Sequence, residues 1–228
     1  VINIILNDRS EGGFISASAG RNIDREDGEL YQLNGNAGLG FGSDGALNVS
    51  FAYKKQEASN RAVPVASTVQ IYPRIGGQPD PREATVDRLI TTNYGQLPQE
   101  GLTLAYNAEH GILGVTAYSF GTFGKRESLL PFTVRLPNNV VTIPQIYPEG
   151  FRPTLVIDEI DYEFAFGVRG TYQGWDWDAS TTIARNRAEQ SSFENLNASL
   201  GPSSPTSFRV GQLESSEWVN SLDVTRLF

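Results

Sequence analysis

The chain has 228 residues, no Cys, no Met, a single His and a formal net charge of −8 at pH 7. The missing thiols exclude disulfide scaffolds, Cys/His zinc sites and Cys nucleophiles, and any Ser-His-Asp triad would have to use His110. The acidic balance argues against nucleic acid as a partner, because phosphate neutralisation needs a basic surface.

With no Met at its head, the chain reads as beginning after processing or truncation, any signal peptide already removed. No apolar run approaches the length of a membrane-spanning helix. A spanning β-barrel stays open, since its strands need only about 9–11 residues with alternate ones apolar.

Period-2 alternation dominates, and it predicts eight strands at about 13–21, 29–41, 46–55, 101–108, 112–124, 158–172, 175–187 and 215–227. The second strand sets Tyr31, Leu33, Gly35, Ala37, Leu39 and Phe41 on one face against Gln32, Asn34, Asn36, Gly38 and Gly40. GFGSDG (40–45) formally matches G-x-G-x-x-G, but an alternating strand follows where a dinucleotide site needs a helix, so it reads as a hairpin turn. A loop Ser43-Asp44-Gly45 with Gly45 left-handed would put Phe41 opposite Leu47 and Leu39 opposite Val49. His110, beside Gly111, reads as a solvated residue of the next short turn.

The sixth strand sets Ile160, Tyr162, Phe164, Phe166, Val168, Gly170 and Tyr172 against Asp161, Glu163, Ala165, Gly167, Arg169 and Thr171. A two-residue turn Gln173-Gly174 then pairs Tyr172 with Trp175, lets Trp177 cover Gly170, and brings Arg169 opposite Asp178 as a cross-strand ion pair.

The connections alternate in length. Short ones fall at 42–45, 109–111 and 173–174, and long ones at 22–28, 56–100, 125–157 and 188–214. Tight turns at one end and long loops at the other suit an outer-membrane barrel. Tyr31 and Phe41 lie ten positions apart on one apolar face, as do Tyr162 and Tyr172. At about 3.4 Å per residue and a tilt near 40°, ten residues rise roughly 25 Å, the height of a lipid-facing band. Tyr31, Phe41, Tyr162, Tyr172 and Trp175 are thus the expected membrane-interface aromatics. The fold expected is all-β, an antiparallel up-and-down meander forming part of a transmembrane barrel.

Several segments resemble the TonB-dependent outer-membrane receptor family, in the family's order. VINIILNDRSEGG, at the head of the chain, resembles the end of the plug and the linker to the first barrel strand. IYPEGFRP (146–153), FGVRGTYQGWDWDAS (166–180), LNASLGPSSPTSF (196–208) and SLDVTR (221–226) are similar to the third extracellular loop, the sixth and seventh strands, the fourth loop and the strand after it. The resemblance implies a fragment, with residues 1–12 ending the plug and 13–228 opening a barrel of 22 strands. It further implies a bacterial outer-membrane location and lipid bilayer, plug domain and TonB complex as partners. The implied role is energised uptake of a siderophore, cobalamin or carbohydrate, with no enzymatic activity and no cofactor. The alternative is a complete eight-stranded barrel, structural or an envelope enzyme, with its last strand ending on Phe228.

Two loops carry related sequences, QIYPRIGGQP (70–79) and QIYPEGFRP (145–153). Tyr72, Tyr147 and Phe151 are therefore candidate ligand contacts, against the alternative that they brace long loops. Asp161, Glu163, Arg169, Asp176 and Asp178 fall on the polar face and hence in the lumen, where pairing and hydration are the expected role. The acidic cluster Asp24, Glu26, Asp27 and Glu29 fits no EF-hand spacing and reads as a solvated loop.

The barrel reading makes structural demands. The first and eighth strands must not pair, Val1–Leu6 must sit inside the sheet or below it, and Leu33, Leu39, Phe164 and Phe166 must not be buried under a second layer.

Overall fold

A computed structural model describes residues 6–91 and 94–226. The chain forms one sheet of eight antiparallel strands in simple sequence order, β1 (Gly13–Asn22), β2 (Asp27–Phe41), β3 (Gly45–Gln56), β4 (Gln99–Ile112), β5 (Val115–Pro131), β6 (Thr154–Tyr172), β7 (Trp175–Phe193) and β8 (Phe208–Thr225). β1 pairs only with β2 and β8 only with β7, so both edges are unpaired among the described residues. No helix is long and apolar enough to cross a membrane among those residues.

β2–β3, β4–β5 and β6–β7 are joined by connections of two or three residues at one end of the sheet. The connections at the other end are longer. The one from β3 to β4 carries the short 3₁₀ turns Pro81–Ala84 and Arg88–Thr91, the one from β7 to β8 carries Ala198–Ser203, and the one from β5 to β6 is an irregular segment packed on the first. The β6–β7 turn matches the expectation, with Gln173 and Gly174 both at positive φ (51° and 79°), the pattern of a two-residue hairpin turn. Tyr172 faces Trp175, and Gly170 faces Trp177, whose ring covers it.

Two turns differ from the expectation. In the β2–β3 hairpin the left-handed residue is Gly42 (φ 64°) rather than Gly45, so Phe41 lies opposite Gly45 and Leu39 opposite Leu47. The slip is two residues, which preserves the faces, and the Phe41 ring then fills the space above Gly45. His110 is not in a turn. It lies inside β4 with its ring 5.3 Å from that of Phe41, and the turn is Leu113-Gly114. His-Gly is a turn signal in isolation, but the alternation that would place it inside a strand is weak there because β5 is apolar on both faces.

The strands also run further toward the long loops than expected. β5 reaches Pro131, β6 starts at Thr154, β7 runs to Phe193 and β8 starts at Phe208. These extensions lack apolar alternation, so periodicity does not reveal them. β8 ends at Thr225, and Phe228 lies outside the described residues.

Candidate functional site

The register sorts the sheet into two chemically different faces. On one, Leu33 pairs with Tyr53, Leu102 with Tyr53, Leu104 with Phe123, Phe123 with Tyr162, Phe164 with Ile183 and Ile183 with Trp218. Leu33, Leu39 and Phe166 are exposed, Phe164 is half-buried, and Trp218 is 74% exposed. This face is therefore not the inside of a sandwich, and it would cost much surface energy in water. Glycines on it are covered by the aromatic directly across, Phe51 over Gly35 and Phe164 over Gly121, which keeps it continuous.

Aromatics stand near both ends of the apolar face. Phe41, Tyr172 and Trp175 lie at the turn end, and Tyr31, Tyr53, Phe123 and Tyr162 lie toward the loop end. Beyond the loop-end aromatics the same face turns charged. Glu100, Glu127, Asp158 and Glu189 stand in register across β4 to β7. Like charges directly opposed are unfavourable unless water or counter-ions screen them, which marks this level as wet.

The opposite face is polar. Glu159, Asp161, Glu163, Arg169, Asp176 and Asp178 all lie on it, as the alternation requires. Arg169 does stand opposite Asp178, but the expected ion pair does not form. Arg169 instead reaches over the Tyr118 ring to Glu109 at 2.8 Å, and Asp178 accepts from the Tyr118 hydroxyl at 2.6 Å. The cause is Gly167. It stands opposite Tyr118 and has no side chain, so the phenol extends across β6 and takes the carboxylate first. Asp176 accepts from the Thr171 hydroxyl at 2.6 Å.

The polar face of β2 to β4 holds the N-terminal segment. Asn107 donates to the carbonyl of Asn7 at 3.3 Å, Asn48 donates to that of Arg9 at 3.2 Å, and the Asn7 amide donates to Asn36 at 3.2 Å. Asn36 also donates to Asn48 and, at 2.8 Å, to Ser50. Residues 7 to 12 thus cross β4, β3 and β2 in turn before the chain enters β1. Val1 to Ile5 lie outside the described residues, and with them all but the last residue of the segment expected inside the sheet or below it. Close approach is possible because Gly38 has no Cβ, which would collide with the Arg9 carbonyl. Gly38→Val is expected to lift the segment off the sheet, seen as faster proteolysis at 7–12 with strand protection unchanged. Equal cleavage of the parent and the variant would contradict this.

The best-packed part of the described chain is in the loops, not the sheet. Ile71 is 0% exposed, Tyr72 4% and Phe151 7%, whereas Tyr147 is half-buried. Tyr72 donates to Glu149, Arg82 stacks 4.0 Å over the Tyr72 ring and pairs with Glu149 at 2.9 Å, and Tyr147 stacks on Phe151 at 4.8 Å. The two related loop sequences therefore interlock. Their aromatics brace the loops, and Tyr72 is too enclosed to form an exposed ligand patch.

Glu83 organises this core. It accepts from the backbone N–H groups of Ile71 at 2.6 Å and Tyr72 at 2.7 Å, and pairs with Arg88 at 2.9 Å. No periodic signal in the sequence marks it. The Tyr72 N–H holds the Glu83 carboxyl below the ordinary value, opposed by burial and helped by Ile71 and Arg88. Arg82 does the same for Asp80. Burial, then Glu149, pushes the Tyr72 phenol up to about 12.

Depressed carboxyl values in the folded loops mean a stability contribution that is complete above the ordinary values, 4.5 for Glu and 3.8 for Asp, and lost as pH falls through the folded ones. Hydrogen exchange at 70–88 is expected to stay slow at pH 5 and to accelerate below about pH 4. Loosening on raising the pH from 5 to 7 would contradict the assignment.

No protein-family model matches the chain, and no curated protein is significantly similar to it. Among the described residues no group of His, Cys, Asp and Glu is arranged to hold a metal ion.

Proposed function

We propose that the chain is the opening part of the barrel of a TonB-dependent outer-membrane receptor. Residues 1–12 end its plug domain and 13–228 begin a transmembrane barrel of about 22 strands, a strand number that the family pattern implies. The protein then resides in the bacterial outer membrane and serves energised uptake of a scarce small ligand, a siderophore, cobalamin or a carbohydrate. It catalyses no reaction of its own. The lipid bilayer, the plug and the TonB complex are its partners.

The observation that carries this reading is the exposed apolar face between two levels of aromatics, backed by a polar face that holds the N-terminal segment. A soluble protein would bury such a face, whereas lipid is the solvent that needs it. A segment held on the polar face suits the end of a plug leaving the lumen. The unpaired edges of β1 and β8 favour continuation into further strands over a complete eight-stranded barrel, which would join them.

Expression of the full-length gene in a Gram-negative host, followed by membrane separation, tests the reading. The protein is expected in the outer-membrane fraction, and growth on the imported ligand is expected to require an intact TonB complex. Recovery in the soluble fraction, or growth independent of TonB, would overturn it.

A further inference from the structure

An open cleft of about 560 Å³ lies between the β5–β6 loop, the β7–β8 loop and the start of β8. That volume is in the range of small-ligand sites. Its apolar lining includes Phe132, Phe151, Pro153 and Phe208. Phe132 is 51% exposed, an unusual cost for a phenylalanine that no neighbour covers. Phe208 stands opposite Ser192, and Ser192 faces Leu155, so the cleft opens at the loop end of the polar face.

The polar side chains of the cleft include Asn195, whose amide is already engaged, its oxygen by the Leu196 N–H and its nitrogen by Ser192. Arg135 and Asn197 also line the cleft, and no Asp or Glu does. The only side-chain hydrogen bond recorded for Arg135 among the described residues runs to the Thr133 carbonyl at 3.5 Å, at the limit of such a bond. Three other loop arginines are neutralised, Arg61 by Asp24 and Asp27, Arg82 by Asp80 and Glu149, and Arg88 by Glu83. Arg25 and Arg74 are held by neutral oxygens, Arg25 by the carbonyls of Asn60 and Ala62 and Arg74 by the Gln70 side chain and the Gly77 carbonyl. Asn197 uses its carbonyl to accept from Ser199, which leaves its amide N–H groups for a ligand. In a chain of net charge −8, an acid-free cleft around an uncommitted guanidinium is a specific arrangement.

We infer that this cleft binds a small anion with a flat apolar body, of the aryl carboxylate class. Phe132 and Phe208 take the ring, and Arg135 takes the carboxylate through a charge-assisted, two-pronged hydrogen bond. The inference rests on the receptor reading only for the identification of the cleft as facing the outside. It names the ligand chemistry that the uptake function alone leaves open.

The test uses the full-length protein, purified in detergent, and titration calorimetry with 2-naphthoate, its neutral amide 2-naphthamide, and acetate. Naphthoate is expected to bind more tightly than naphthamide, with acetate showing no measurable binding. Arg135→Gln is expected to lose roughly ten- to a hundredfold in naphthoate affinity, the equivalent of one hydrogen bond to a charged group. Arg135→Lys should recover part of that loss, and Phe208→Ala should weaken naphthoate and naphthamide alike. Absent naphthoate binding, equal affinity for naphthoate and naphthamide, or an unchanged Arg135→Gln variant would each overturn the inference. Arg135-dependent binding by a protein that fractionates as soluble would leave the cleft standing and remove the receptor reading, so the two failures are distinguishable.

Discussion

Replacing Ile71 by alanine is expected to destabilise the loop assembly by about 2–5 kcal/mol, the usual cost of emptying a fully enclosed aliphatic site. Ile71 is completely buried, and its backbone is held on both sides, by Glu83 on the N–H and by the Asn138 N–H on the carbonyl. The side chain cannot move to water without breaking those bonds, so the surroundings relax little. Amides throughout 57–98 and 132–153 should exchange faster, because Asn138 and Glu149 join the two loops through this region. Strand amides of β6 and β7 should be unaffected. Val140→Ala, at an almost fully exposed position of the same assembly, is the control and should change little. Unchanged loop protection in the Ile71 variant would show that the loops are not a cooperative unit.

The second large effect is expected from two neighbouring arginine substitutions on β7. Ile183 lies on the apolar face between Phe164 and Trp218, while Ala184 lies on the polar face between Glu163 and Glu217. In a bilayer Ile183→Arg should cost about 2–4 kcal/mol, as for a cation near the midplane of a lipid-facing strand. Ala184→Arg should be neutral or favourable, because it enters a wet face beside two carboxylates for which no ion pair is seen among the described residues. Unfolding of the full-length protein from lipid vesicles by denaturant measures both. Similar small effects at the two positions would mean that both faces meet water.

The strand order, the faces and the β6–β7 register are legible in the sequence because a two-sided sheet writes its environment into every second residue. Ile160 to Tyr172 shows this most clearly, where seven apolar or small residues alternate with Asp161, Glu163 and Arg169. Legibility fades where the environment stops differing between the faces. The outer parts of β5 to β8 extend past the alternating band, and Leu129-Leu130 on β5 and Leu155-Val156-Ile157 on β6 put apolar side chains on both faces, so alternation has no cause there.

Long-range choices are illegible for another reason. The register identifies Asp178 as the neighbour of Arg169, but Gly167 admits the Tyr118 phenol and redirects both charges. In the same way nothing local announces that Asn36, Asn48 and Asn107, on three different strands, hold one stretch of backbone. The loop aromatics illustrate the point for function. Tyr-Pro-Gly sequences read as braces more readily than as contacts, and the burial of Tyr72 under Arg82 shows bracing at that residue. The acid-free cleft, by contrast, draws Phe132, Arg135, Asn197 and Phe208 from separate segments, so no single motif points to it.

The account depends most on the claim that the face bearing Phe164 and Phe166 meets lipid. The absence of cysteine lets a single spin label be placed at each of residues 163 to 168 of the full-length protein in lipid vesicles without background labelling. Accessibility to oxygen, which concentrates in lipid, is then compared with accessibility to a water-soluble nickel chelate. The account predicts a period-2 swing, with the oxygen-to-nickel ratio high at 164, 166 and 168 and low at 163, 165 and 167. A ratio without alternation, or a nickel preference at 164, 166 and 168, would contradict it.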